Sequence, residues 1–300
     1  MAMHGSTTDR EPLIAVTGAT GALGGRVSRL LNMAGWPQRL LVRDRSRAPR
    51  LPHSTVYEAP FGGGAEVQRA LRGVSVLFMV SATEAEDRQR AQEDFVAAAA
   101  AAGVQHIVYT SFAGADESAT FEFARTHAAA EAHIRDAGMA YTFLRDNFYQ
   151  EVFPLWVGED GALRGPAGDG RVAAVARNDV ARTAARVLAD IGSHLGSGSG
   201  QEAPHAGRAY DMTGPRALTL GEIARILSEA QGREVRYVDE TLEEAYASRA
   251  ASGAPQWQLD AWVSTYTAIA KGELEHVSDD IKQLTGTPAA SLERTLREAL

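Results

Sequence analysis

Leu13-Ile14-Ala15-Val16-Thr17 runs directly into Gly18-Ala19-Thr20-Gly21-Ala22-Leu23-Gly24, and this junction decides the fold. A short, unbroken apolar run reads as a strand buried on both faces, the habit of a parallel sheet. The three glycines follow at once and open a helix expected over 21–34. At this spacing Gly18 permits a tight turn, Gly21 lets backbone approach a pyrophosphate, and Gly24 lets helix and sheet pack closely. A glycine triplet alone is a weak signal. The strand before it and the helix after it make the dinucleotide reading specific, with Thr20, Ala22 and Leu23 placed in the same turn.

Outward from the junction, strands are expected over 39–43, 54–58, 74–80, 106–110 and 141–145. Helices are expected between them over 65–71, over 84–102 up to Gly103, and over 121–137 up to Gly138. This βαβ rhythm predicts an α/β protein built on a doubly wound parallel sheet. Beyond Asn147 the rhythm loosens, with a helix over 179–190, a Gly/Ser-rich surface loop over 193–207 and a strand over 210–213. Helices over 218–232, 241–252 and 256–270 then form a smaller, mainly helical C-terminal lobe. The expected division is a dinucleotide-binding domain over 1–153 and a substrate-binding lobe over 154–300, with the strand near 208–213 returning to the main sheet. A length of 300 residues suits two lobes of about 150 residues each.

Composition excludes much. There is no cysteine, and the only lysines are Lys271 and Lys282, which removes disulfides, thiol nucleophiles, cysteine-held metal and a P-loop. No His-Glu-x-x-His occurs, and Gly198 stands where a Gly-x-Ser-x-Gly elbow would need its serine. With 38 acidic against 30 basic residues, no overall positive field exists to hold nucleic acid. The segment 1–12 is polar, and the longest apolar run, 96–104, is mostly alanine and too short to cross a bilayer. A cytoplasmic protein with a short loose tail and no nucleic-acid or membrane partner is expected.

The end of the second strand reads Val42-Arg43-Asp44-Arg45-Ser46-Arg47. NAD-selective enzymes place an acid there on the ribose diol. Arg43 instead suits a 2′-phosphate and the adenine face, with Arg45 or Arg47 adding charge. NADP(H) is therefore the expected dinucleotide, and Asp44 keeps NAD(H) open. By the same strand-end rule, the backbone of Val80, Ser81 and Ala82 and the side chains of Ser81 and Thr110 are expected beside it.

Gly18 to Gly24, Leu41-Val42-Arg43-Asp44, Tyr109-Thr110-Ser111-Phe112 and Ala140-Tyr141-Thr142-Phe143-Leu144-Arg145-Asp146-Asn147-Phe148-Tyr149 together resemble the NmrA-like family of atypical short-chain dehydrogenases. The likeness runs over about 13–232 and is nearer to the NAD(P)H:quinone oxidoreductase branch, where a His-x-x-x-Glu helix like His127 to Glu131 also occurs. The resemblance implies a Rossmann domain, a substrate cleft between it and the C-terminal lobe, and direct hydride transfer without a flavin. It also implies that a member can bind the dinucleotide merely to sense redox state and regulate a partner. One departure is Glu58-Ala59-Pro60-Phe61, which replaces the family's acidic pair after strand three and puts an adenine contact from there in doubt.

Typical short-chain dehydrogenases protonate through Tyr-x-x-x-Lys. Aligning the lysine with His127 puts Phe123 at the tyrosine, so ordinary alcohol or ketone chemistry is disfavoured. A quinone asks less, because its reduced anion is aromatic and weakly basic. The candidate catalytic groups are then His127, Ser111 and Tyr149. His127 is read as a proton donor or a ribose ligand, or else as a histidine packed beside Phe123 and Ile134. Ser111 is expected to hold a substrate carbonyl, Asn147 to meet the cofactor, and Phe148 and Tyr149 to wall a flat pocket. Leu259, Trp262, Tyr266 and Ile269 recur at helical spacing, as core or as a subunit contact that leaves a homodimer open, with a substrate lid as second choice. The expected function is an NADPH-dependent oxidoreductase acting on a quinone or similar small planar acceptor. The competing readings are an NADP(H)-sensing regulator and a reductase of aryl, azo or polyketide-type compounds.

Overall fold

The strands sort their side chains by pleat between two helical layers. The computed structural model describes residues 11–299, so the tail expected over 1–12 lies outside the described residues but for its last two. The chain runs β1 (Ile14–Thr17), α1 (Gly24–Met33), β2 (Gln38–Val42), β3 (Ser54–Glu58), α2 (Ala65–Leu71), β4 (Val76–Met79), α3 (Arg88–Ala101), β5 (His106–Phe112), α4 (Glu122–Asp136) and β6 (Ala140–Asp146). It continues through α5 (Phe153–Trp156), β7 (Ala162–Gly165), β8 (Arg171–Val172), α6 (Arg177–Gly196), β9 (Arg208–Met212), β10 (Leu218–Thr219), α7 (Leu220–Gln231) and β11 (Arg236–Asp239). It closes with α8 (Leu242–Ala250), α9 (Gln256–Ala270), α10 (Asp280–Thr285) and α11 (Leu292–Ala299).

A seven-stranded parallel sheet has the order β3-β2-β1-β4-β5-β6-β9. Ala15, Leu41, Leu77, Met79, Ile107, Tyr109 and Phe143 share one core with α2, α3 and α4. Ile14, Val16, Leu40, Phe78, Val108 and Leu144 share another with α1 and α6. Burial on both faces is the reason these strands are continuous apolar runs. Strand order reverses between β1 and β4, which leaves a crevice at their carboxyl ends.

The doubly wound sheet is as expected, and β9 does return to it. One helix is longer than its sequence suggests: α6 runs through Gly192 to Gly196 instead of stopping near 190. Gly192 is a packing site, since a Cβ there would stand 2.8 Å from the Trp36 ring. The Gly/Ser loop therefore begins only at 197.

The C-terminal lobe is mainly helical but is framed by two small sheets, β7 parallel with β11 and β8 antiparallel with β10. Strands of two to four residues are too short to show a period in sequence. A third core joins this lobe to the end of the large sheet through Phe112, Phe121, Phe153, Leu163, Ile223 and Ile269. Elements from beyond residue 153 also cover the large sheet, with Val180, Leu188 and Ile281 in its α1-side core. Among the described residues no helix is long and apolar enough to cross a membrane.

Candidate active site

The crevice is built first by glycine. Gly18 has φ +60°, and a Cβ on Gly24 would lie 2.4 Å from the Gly18 carbonyl oxygen and 2.6 Å from that of Thr17. Only a hydrogen fits there, so α1 starts against the strand end; the Gly25 and Arg26 N–H groups go to the Gly21 and Leu23 carbonyls at 3.1 and 2.9 Å, which leaves those of Ala22, Leu23 and Gly24 to face the crevice. Its start at Leu23 has no side-chain cap competing for those donors. This cradle fits a pyrophosphate. Gly18, Thr20, Gly21, Ala22, Leu23, Gly24, Arg43, Val80, Ser81 and Ala82 all line one cleft of about 760 Å³.

Arg43 is exposed along that cleft, and no carboxylate among the described residues pairs with it. Asp44 is not among the residues that line the cleft. Its Oδ1 accepts the Ser46 amide at 2.9 Å and the Ser46 hydroxyl at 2.7 Å, capping the short turn Arg45–Arg47. Those bonds hold its carboxyl below the usual range. Glu58, Ala59, Pro60 and Phe61, the segment that departs from the family pattern, wall the far end of the cleft, with Phe61 stacked on Phe95 at 4.7 Å.

At the exit of β4 the backbone donors are already engaged. The Val80 N–H donates to Thr17 Oγ1 at 2.8 Å, that of Ser81 to Thr110 Oγ1 at 2.8 Å, and that of Ala82 to Gln92 Oε1 at 3.2 Å. A ligand therefore meets carbonyl oxygens and the Ser81 hydroxyl here, not free N–H groups. Thr110, expected beside the cofactor, lines neither the cleft nor the neighbouring cavity and instead straps the Ser81 peptide. Gln92 was invisible in sequence, being one of several polar residues in the first half of an alanine-rich helix.

A second cavity of about 660 Å³ shares Ser81 with the cleft. Phe112, Phe121, Phe123, Phe148, Trp156, Trp262 and Tyr266 make it largely aromatic, and Ser111, His127, Asn147 and Tyr149 all line it. On α9, Leu259 and Ile269 are core, whereas Trp262 and Tyr266 face the cavity, so this helix is a wall of the pocket.

Hydrogen bonding revises the expected roles. Ser111 Oγ donates to Glu131 Oε1 at 2.6 Å, so its one hydrogen is held away from any substrate carbonyl. Glu131 also accepts from Arg135 at 2.8 Å and from Arg145 at 2.9 and 2.7 Å. His127 Nε2 accepts from Arg88 at 2.8 Å, which puts the imidazole proton on Nδ1, facing the Tyr109 hydroxyl at 2.9 Å. Tyr109 in turn donates to Gln92 Oε1 at 3.0 Å. Burial and the adjacent Arg88 cation hold His127 neutral, well below its ordinary value, which argues against it as an acid. Its fixed ring pins α3, β5 and α4 together. Asn147 donates one amide hydrogen to the Leu274 carbonyl at 3.0 Å and accepts the Phe148 N–H at 2.8 Å, tying the C-terminal lobe to β6 and leaving the second hydrogen of its amide uncommitted. Tyr149 donates to Asp146 Oδ2 at 2.7 Å, and burial beside Asp146 pushes its phenol up.

Sequence reasoning missed Arg88, a buried guanidinium that lines the dinucleotide cleft, lies 5.1 Å over the Phe123 ring and has no carboxylate partner among the described residues. The available signal was its spacing of one helical turn from Gln92.

A family model described as the NmrA-like family matches residues 10–256. The chain belongs to the NmrA-like family. Among members similar to it, the NAD(P)H azoreductase of Xenophilus azovorans is 32% identical over 92% of this chain and 94% of its own. The structure of an NADPH-dependent quinone oxidoreductase from Escherichia coli, complexed with NADPH, superposes with TM-score 0.83 at 31% identity, covering 95% of this chain and 99% of that one. That of a Citrobacter sp. triphenylmethane reductase complexed with NADP(H) gives 0.81 at 32% identity, covering 96% and 100%.

Proposed function

We propose that this NmrA-like protein is an NAD(P)H-dependent oxidoreductase that favours NADPH and passes hydride, without a flavin, to a quinone or similar planar conjugated acceptor. One observation carries the reading: an open, aromatic-walled cavity meets the glycine-built dinucleotide cleft at Ser81. The bound dinucleotide supplies hydride. The Gly18–Gly24 turn would hold its pyrophosphate, and Arg43 would supply the charge for a 2′-phosphate. Phe123, Phe148, Trp156 and Trp262 offer ring faces against which a flat acceptor lies, and proximity in a largely apolar pocket then supplies much of the rate.

The acceptors named for similar family members, quinones, azo compounds and triphenylmethane dyes, are all conjugated and aromatic or quinonoid. Phe123 and His127 stand where a Tyr-Lys pair would activate an alcohol, which further favours acceptors that are easily reduced. The test is NADPH and NADH binding by fluorescence, followed by NADPH oxidation with a panel of quinones and azo dyes. Saturable, acceptor-dependent oxidation with NADPH preferred is the expected result. Tight NADPH binding with no oxidation by any acceptor would overturn the reading.

A further inference from the structure

Arg88 opens α3 and lines the dinucleotide cleft, yet it is 5% exposed and no carboxylate pairs with it among the described residues. Its Nη2 donates to His127 Nε2 at 2.8 Å, and its Nε is sealed in the interior with no acceptor. Nη1 has no partner among the described residues and, unlike Nε, is not sealed from the cleft. The nearest acids in sequence are turned elsewhere. Glu84 Oε2 accepts from Gln258 Nε2 and Trp262 Nε1 on α9, each at 3.3 Å, and Asp87 is exposed. The two rings beside the guanidinium carry no charge to offset it, since burial pushes His127 down and Tyr109 up. A buried, unpaired cation is costly, and arginine does not escape the cost by releasing its proton. The positive end of α3 adds potential of the same sign.

The position of this charge along the cleft is fixed by α3. Phe95, about two turns further on, stacks on Phe61 at the far end. Arg88 stands at the other end, bonded to His127 and 5.1 Å over the Phe123 ring, both of which line the aromatic cavity. Hydride has to pass from cleft to cavity, so the nicotinamide belongs at the Arg88 end.

We infer that Arg88 makes this cleft discriminate between the two oxidation states of the dinucleotide, accepting the reduced form and repelling the oxidised one. The inference rests on the reductase reading in one respect, the nicotinamide's place beside the cavity. A dihydronicotinamide ring is neutral, and the same ring after loss of hydride carries a positive charge. The phosphates are identical in the two forms, so whatever Arg88 contributes to holding them cancels in the comparison. What remains is repulsion between two cations where little water screens them, and it acts on the oxidised form alone. Arg88 is thus a specificity-determining residue. Its charge keeps spent dinucleotide from competing with fresh NADPH and hastens departure once hydride has been given up.

The test reads binding rather than turnover, on the full chain at pH 7. Dissociation constants are measured for NADPH by nicotinamide fluorescence and for NADP⁺ by calorimetry. Wild type is expected to bind NADPH more tightly by at least about tenfold. Wild type that binds the two forms equally, or NADP⁺ more tightly, overturns the proposal without any variant. Arg88→Met removes the charge and is expected to lower the ratio of the two constants by about tenfold. Arg88→Lys keeps the charge, loses the planar fork that meets His127, and is expected to keep the ratio. A merely structural Arg88 would weaken both forms together, so a ratio that Arg88→Met leaves unmoved overturns the proposal. Should the methionine variant not fold, Arg88→Gln, which is neutral and keeps an amide donor for His127, carries the same comparison. If neither form binds wild type, the reductase reading fails and takes the proposal with it. If the ratio moves as expected but no acceptor is reduced, the reductase reading fails alone; if acceptors are reduced and the ratio stays put, this proposal fails alone.

Discussion

Replacing Glu131 with glutamine tests whether the framework beneath the cavity is held by one buried charge. The Glu131 side chain is 2% exposed and accepts four hydrogen bonds, from Ser111 on β5, Arg135 on α4 and Arg145 on β6. Glutamine keeps the shape, deletes the charge and turns an –NH₂ group toward guanidinium donors. Breaking a buried pair costs about 3–5 kcal/mol. Arg145 and Arg135 are 27% and 42% exposed and can rehydrate, so the lower end, about 3 kcal/mol, is expected. At about 2 °C per kcal/mol for a chain of this size, the Tm should fall by about 6 °C. Urea and thermal unfolding at pH 7, followed by tryptophan fluorescence in low and high salt, would measure it. The loss should change little with salt because Glu131 is buried. Asp94→Asn, which removes an exposed ion pair with Arg90, should cost less than about 1 kcal/mol. The reasoning is refuted if Glu131→Gln lies within about 1 kcal/mol of wild type, or if high salt abolishes the difference between them.

Arg43→Ala should weaken NADPH binding by about tenfold, equivalent to about 1.4 kcal/mol, and weaken NADH binding, which shares only the adenine face, by less in the same titration; equal weakening of both would remove Arg43 from the 2′-phosphate. Gly24→Ala places a Cβ against the Gly18 and Thr17 carbonyls, which are backbone and cannot turn aside. It should cost at least about 1–3 kcal/mol and abolish dinucleotide binding, and wild-type binding by calorimetry would contradict the crossing geometry. The raised pKa of Asp146 also sets a pH dependence. Between about pH 4 and pH 8 the native carboxyl keeps a proton that the unfolded chain has released, so its contribution is complete below the unfolded value of 3.8 and is lost as pH rises through about 8. Wild type should therefore lose up to about 5 kcal/mol relative to Asp146→Asn between pH 4 and pH 9, and parallel urea-derived stabilities across that range would rule this out.

The sheet was legible because its strands are buried on both faces, which writes apolar runs into the sequence, and because Gly18, Gly21 and Gly24 sit between a strand and a helix. That Ser111, His127, Asn147 and Tyr149 meet in one place was also legible, since each follows from its position near the carboxyl end of the sheet. What they do there was not. Ser111 is governed by Glu131, 20 residues away, and His127 by Arg88, 39 residues away. Which hydrogen each group holds is decided by such partners, and no local pattern names them. Gly192 shows the converse error: it looks like a helix breaker, but the Trp36 ring, far off in sequence, makes it a contact.

The backbone over Val80, Ser81 and Ala82 is tied by side chains from β1, β5 and α3. Fixing a free residue costs about 1–2 kcal/mol of backbone entropy, and this segment has met that cost during folding rather than at the moment a ligand arrives. The junction of cleft and cavity is therefore a rigid rail with no disorder to surrender. Dinucleotide can dock and depart along it without a loop having to order and melt in each cycle, so whatever limits turnover in this protein should lie in the chemistry or on the cavity side, not at the strand end where the two spaces meet.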